Sequence, residues 1–239
     1  FGDDAKRTDI TIKQPVKVGA LNFENDSLNY TLTGDSIVGN ADLTKTGEGT
    51  VNINNVNRFV GTTRVMGGKL NVATLANTNG QEYGALGGVS NRIELSGNAE
   101  LGITGSVTNN QPILVASDDA AVNVATNASL NMKTGFASTN GRHALNKRGA
   151  GTLTLSAAST LRCLNVERGT VDLFDGANAD TVRFVSTGTK VYDSNSMGSY
   201  STNSSTFVVP EKVSGNFWMD PRCDYKGKLL GKGSFYVYA

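Results

Sequence analysis

One eleven-residue pattern constrains this chain more than anything else in it. Leu43-Thr44-Lys45-Thr46-Gly47-Glu48-Gly49-Thr50-Val51-Asn52-Ile53 returns as Leu145-Asn146-Lys147-Arg148-Gly149-Ala150-Gly151-Thr152-Leu153-Thr154-Leu155. Both copies read Leu-x-Lys-x-Gly-x-Gly-Thr-aliphatic-x-aliphatic, and a truncated version, Leu230-Gly231-Lys232-Gly233-Ser234-Phe235-Tyr236-Val237, lies near the end. Each full copy is followed by a second common unit, Thr63 to Val72 after the first and Leu164 to Leu173 after the second. Equivalent glycines therefore return at nearly the same interval in both blocks, from Gly49 to Gly68 and from Gly151 to Gly169. A strand-bearing unit of this size, roughly 20 residues, cannot bury its apolar side alone, so such periods specify a solenoid in which each unit is covered by the next.

The segments between the copies keep the same rhythm. Ile93-Glu94-Leu95, Leu101-Gly102-Ile103, Ile113-Leu114-Val115, Val122-Asn123-Val124 and Leu130-Asn131-Met132 are short alternating runs bounded by turn formers. Asn140-Gly141 is the exception to a general lack of two-residue hairpin links. Short strands joined by long connections favour parallel stacking, and parallel crossovers are overwhelmingly right-handed. No window carries a helical apolar stripe, and 28 glycines among 239 residues oppose helix. The expectation is an all-β, single-stranded, right-handed parallel β-helix of about ten to twelve coils, a rod about 50 Å long. Val51, Ile53, Leu70, Val72, Leu153, Leu155, Val171 and Leu173 point inward, while Asn52, Asn71, Thr154 and Asp172 face water.

Residues 1–191 read as a β-helix with repeat blocks at 43–72 and 145–173. Residues 192–239 read as a Ser- and Asn-rich excursion followed by final rungs of the same solenoid. The apolar run Phe235-Tyr236-Val237-Tyr238 has nothing after it, and the chain starts at Phe1 rather than Met, so the expectation is a piece of a longer polypeptide. No run is long and apolar enough to span a bilayer as a helix. Twenty-two Lys and Arg balance 21 Asp and Glu without a basic stripe, which argues against nucleic acid as a partner. Cys163 and Cys223 fit either one disulfide or two buried thiols.

With those residues read, the chain resembles the autotransporter-associated β-strand repeat, or passenger-associated transport repeat, of Gram-negative surface proteins. The resemblance rests on Leu43, Lys45, Gly47 and Gly49, on Leu145, Lys147, Gly149 and Gly151, and on the strand-Gly-x-aliphatic units at Val65 to Val72 and Val166 to Leu173. It implies a right-handed β-helix, extracellular or on the outer cell surface, used as a stalk or passenger that displays adhesive or enzymatic parts. Glycans or host surface proteins are the partners expected for the long flank of such a scaffold. A turn related to the family's Asn-Thr-Tyr-Thr-Gly persists at Asn57 to Thr62 and is lost at Ala158 to Arg162.

Parallel β-helices also carry polysaccharide lyases and hydrolases, so acid pairs need weighing. Asp118-Asp119 could serve acid–base chemistry, but it lies in a turn-forming stretch between rungs, and galacturonase-type companions are missing. His143, the only histidine, lies just before the second copy and is expected to be a surface loop residue without a fixed Ser or Asp neighbour to make it a base. No metal-ligand spacing occurs, and Gly-x-Gly leads into a strand rather than a helix N-terminus, so neither a metal nor a phosphate-bearing cofactor is expected. Trp218, Phe217, Tyr225 and Tyr200 are the candidates for a glycan-contact platform. Capping or packing of the solenoid is the competing reading, because Phe217 alternates with Met219 as a strand would. The preferred reading is a non-enzymatic stalk or adhesive scaffold, with a polysaccharide lyase or glycoside hydrolase segment as the alternative.

Overall fold

A computed structural model of the chain describes residues 1–197 and 200–239. The excursion expected after Tyr192 contains Gly198 and Ser199, which lie outside the described residues. The chain winds as a parallel β-solenoid with three sides. The main face is an eleven-stranded sheet running from Asp9–Ile12 to Leu229–Gly231, which sets about ten coils. A second face stacks six strands from Ala20–Glu24 to Phe136–Ser138. The third side is split into a three-stranded sheet, Val16–Lys17 to Arg58–Val60, and a seven-stranded sheet, Ser106–Asn109 to Ser234–Tyr238.

The split has a local cause. Thr50 pairs with Lys69 over an ordinary coil, but Lys69 pairs onward with Glu100 over a much longer one. This longer coil replaces its third-side strand with an excursion holding an antiparallel hairpin, Tyr83–Gly84 against Gly87–Gly88. Leu75, Ala76, Ala85 and Leu86 in that excursion are buried, so it plugs the side it interrupts. The Asn140-Gly141 pair instead lies in the short 3-10 turn Thr139–Gly141 between two parallel strands. The most compact coils belong to the repeats, where Ala144 pairs with Cys163 and Leu164 with Val182.

Parallel register with a period of two puts like residues on like. Leu32, Ile53, Val72, Ile103 and Val124 form one interior row of the main face. Every inward position expected in the repeats is fully buried, Val51, Ile53, Leu70, Val72, Leu153, Leu155, Val171 and Leu173 alike. At about 1.5–3 kcal/mol per buried aliphatic side chain, these rows are the main source of cohesion. The alternate positions are only half-exposed, because they also stack: Asn71 Nδ2 donates to Asn52 Oδ1 at 2.9 Å and Asn165 Nδ2 to Asn146 Oδ1 at 2.9 Å. Both cysteines are buried free thiols on different sheets, Cys163 on the main face and Cys223 in the short strand Cys223–Tyr225.

The two motif copies do not share a face. In the first, Leu43 and Lys45 lie on the second face and Val51 and Ile53 on the main face. In the second, Leu145 and Lys147 lie on the main face and Leu153 and Leu155 on the third. The same corner is therefore used at two different edges of the solenoid.

Candidate functional site

The repeated residues converge on that corner. Gly47 and Gly149 take φ of +74° and +73°, a conformation that side chains disfavour. Gly49 and Gly151 are needed for space: a Cβ on Gly151 would come within 2.3 Å of Ala125 O and 2.5 Å of Ala128 O in the coil below. The chain thus turns sharply while lying directly on the preceding rung.

The lysines do what sequence reading leaves unassigned. Both are fully buried. Lys147 occupies a place in an interior aliphatic row, between Val122 and Val166, and Lys45 stands between Phe23 and Val65. Their stems pack in the core and their ammonium groups reach into the corner. Lys147 Nζ donates to the carbonyls of Arg148 at 3.0 Å, Gly149 at 2.9 Å and Arg168 at 2.9 Å. Lys45 Nζ donates to Thr46 O at 2.5 Å and Gly47 O at 2.6 Å, with Gly67 O at 3.4 Å. Three donors meet three carbonyls, and one carbonyl in each set belongs to the following coil, so each lysine ties two rungs together. Burial lowers both amines, Lys147 to about 8, which leaves it charged at neutral pH. The truncated copy repeats the corner between Leu229–Gly231 and Ser234–Tyr238, but its Lys232 sits between the glycines and is exposed.

The aromatic candidates separate. Phe217 is buried, its ring centre 4.7 Å from that of Phe207, so it is a core residue and offers no surface to a glycan. Trp218 faces outward on the third side, where it is stacked between Tyr192 at 4.9 Å and Tyr238 at 4.6 Å. Both of its ring faces are covered, and a pyranose needs an open face. What it exposes is an edge, with Lys190 Nζ 5.5 Å from the ring centre. The Tyr225 hydroxyl is shared between Ser205 O at 2.9 Å and Lys228 O at 3.0 Å, and burial pushes its pKa up to about 12. Tyr200 is 84% exposed and precedes Ser201–Asn203, a strand that pairs with Cys223–Tyr225 rather than with the sheet holding Trp218. The four residues do not form one platform.

Asp118 and His143, weighed separately in the sequence, are neighbours. The register that pairs Ala121 with Asn146 also sets Asp118 beside His143 one coil on, with Nδ1 3.5 Å from Oδ1. The sequence expectation that His143 lacks an acidic neighbour is corrected by this stacking. Asp118 also accepts from Ala144 N at 2.8 Å and from Arg162 at 2.8 Å, and these contacts, the backbone N–H foremost, hold its carboxyl below the usual range. Asp119 donates its N–H to Ser117 Oγ at 3.2 Å, as a turn residue does. Among the described residues no group of three or more His, Cys, Asp or Glu is placed to hold a metal, and no helix is long and apolar enough to cross a membrane.

The sequence profile of the family described as Passenger-associated-transport-repeat matches residues 43–72 and 145–162. Those are the two corners that the buried lysines close. No curated protein and no solved structure matches the chain.

Proposed function

We propose that the chain is a non-enzymatic stalk segment of an exported passenger protein, acting on the outer surface of a Gram-negative cell or outside it. The matched repeats and the β-solenoid fit an autotransporter passenger stalk. The observation that carries the reading is where the recurring residues go. Leu43, Lys45, Gly47, Gly49 and their counterparts are spent on closing corners and joining rungs, so what the repeat preserves is a rod and not a reaction centre. A rod of about ten coils at roughly 4.8 Å per rung spans about 48 Å, the scale of a spacer. Its finer role as an adhesive scaffold for glycans or host surface proteins would fall to the outward rows of the third side, where Lys190, Asn216 and the edge of Trp218 lie together.

A spacer tolerates a change in length that preserves register. Leu101 pairs with Val122, so deleting residues 101–121 joins Glu100 to Val122 and removes one coil. The expected product folds with the same strand content and a radius of gyration reduced by the loss of one rung; collapse to an unfolded chain would contradict the account. The alternative, a polysaccharide lyase or glycoside hydrolase, has one specific observation behind it, the surface grouping of Asp118, His143 and Arg162, which supplies an acid, a base and a cation in one place. Incubation with acidic and neutral polysaccharides is expected to give no depolymerisation, and turnover abolished by His143→Ala would establish the enzymatic reading instead.

A further inference from the structure

One interior row of the third side is interrupted by an acid. Met132, Leu155 and Leu173 stack inward, and because Asp172 pairs with Tyr192, the next residue in that row is Asp193, followed by Met219. Asp193 is 1% exposed, and among the described residues neither carboxylate oxygen has a partner in hydrogen-bond geometry, although Cys223 and Asn203 stand close to it. Among the described residues two other buried polar atoms close by, Asn195 Oδ1 and Asn203 Nδ2, are also unpaired. The group meets at Cys223, whose Sγ lies 3.2 Å from Asp193 O, 3.2 Å from Asn195 Nδ2 and 3.4 Å from Ser201 Oγ.

The surroundings of this spot do not favour an anion. Burial is the main force pushing the Asp193 carboxyl upward; it outweighs the opposing pull of Cys223 and Asn203, and Asp172 on the preceding strand and Asp220 after the following one add smaller upward contributions. Arg222 is held by Asp220 through 2.9 and 2.8 Å contacts and by Ser196 O. Asp175 is tied to Ser196, Asp224 to Lys226 at the surface, and Lys190 lies outside against Trp218. Three of the four unpaired atoms are acceptors and one is a donor. An ionised carboxylate supplies acceptors only, whereas a neutral carboxyl supplies one O–H and one carbonyl oxygen, which match an amide oxygen and an amide N–H.

We propose that Asp193 is an acid-responsive latch: neutral, it completes the polar cluster with Asn195, Asn203 and Cys223, and its ionisation loosens the coils between Lys190–Asp193 and Cys223–Tyr225. The direction follows from linkage. The carboxyl titrates at about 6 in the fold against 3.8 for a free side chain, so the folded chain retains a proton that the unfolded chain has lost. The stabilisation is complete below the unfolded value, declines as pH rises from about 4 to about 6, and is gone above that window.

The test compares urea unfolding of the wild type and Asp193→Asn from pH 4 to 8. The wild-type midpoint is expected to fall across pH 4–6 relative to the variant, and the two profiles should diverge most at neutral pH in the variant's favour; superimposable profiles would overturn the proposal. A measurement on the wild type alone stands independently of whether the variant folds. With ¹³C-labelled aspartate, one carboxyl resonance should titrate near pH 6, and hydrogen exchange at 190–196, 201–203 and 223–225, corrected for intrinsic rate, should be several-fold faster at pH 7.5 than at pH 5. All aspartates titrating below pH 5, with unchanged corrected exchange, would refute it.

Discussion

Replacing Lys147 with Met tests the corner directly. The change keeps an unbranched stem of similar volume in the row between Val122 and Val166 and removes only the ammonium. Three carbonyls lose their donor, and an unmet buried acceptor costs about 1–3 kcal/mol, so the gross loss lies between roughly 3 and 9 kcal/mol. The opposing term is the burial of charge: a shift from 10.5 to about 8 corresponds to about 3 kcal/mol at 1.36 kcal/mol per pKa unit, and Met relieves it. The net expectation is destabilisation of roughly 0–6 kcal/mol, centred near 3, read as a lowered urea midpoint by circular dichroism with little change in slope. The same variant has a second signature. Because the folded amine titrates below the unfolded one, the unfolded chain holds the extra proton between about pH 8 and 10.5, so wild-type stability gains a rising component in that window that the variant lacks. A Lys147→Met protein as stable as wild type at pH 7, with the same pH profile between about 8 and 10.5, would refute the assignment of the lysine as a tie between coils.

Other perturbations reach different parts of the account. Gly149→Ala should lose about 1–3 kcal/mol to φ +73° alone and more from a Cβ placed 2.1 Å from Val124 O, visible as a depressed thermal midpoint. Leu153→Asp puts an unpaired charge at a fully buried position and should lower stability by several kcal/mol; an unchanged melting curve would remove that residue from the core. Trp218→Ala breaks two stacks worth about 0.5–1.5 kcal/mol each, so fluorescence-independent unfolding should shift modestly while the fold survives. Loss of glycan binding by a folded Trp218→Ala protein would show instead that the exposed edge is a contact surface.

The interior rows are legible in the sequence because alternation and register carry the same information: once Val51 and Ile53 are inward, Leu70 and Val72 must be, and parity alone sends Phe217 in and Trp218 out. The lysines are visible as repeated residues but not as buried ones, since a charge in a strand reads as solvent-facing until the corner shows three carbonyls around it. Their pattern also gives no hint that the copies occupy different edges, because a three-sided coil offers equivalent corners and the motif spans only one of them. The hairpin at 83–88 has no Asn-Gly or Asp-Gly turn to announce it, its turn being Ala85-Leu86. Asp118 and His143 are distant in sequence and meet only through the length of the coil between Ala121 and Asn146, a quantity no local pattern fixes. Asp193 lies in the least regular composition of the chain, yet its parity with Val191 is sufficient to place it inside.

Spin-label distances test the central arrangement most directly. Asn146 lies on the main face with Asn52, four rungs away through the strands at 69–72, 100–103 and 121–124, whereas Thr44, its equivalent by motif, lies on the second face. Labels at 52 and 146 should give a narrow distribution near four rung spacings, about 19 Å plus the label arms, and labels at 44 and 146 a longer one. A shorter distance for 44 and 146 than for 52 and 146 would mean that the repeats stack on one face, and would contradict the fold described here.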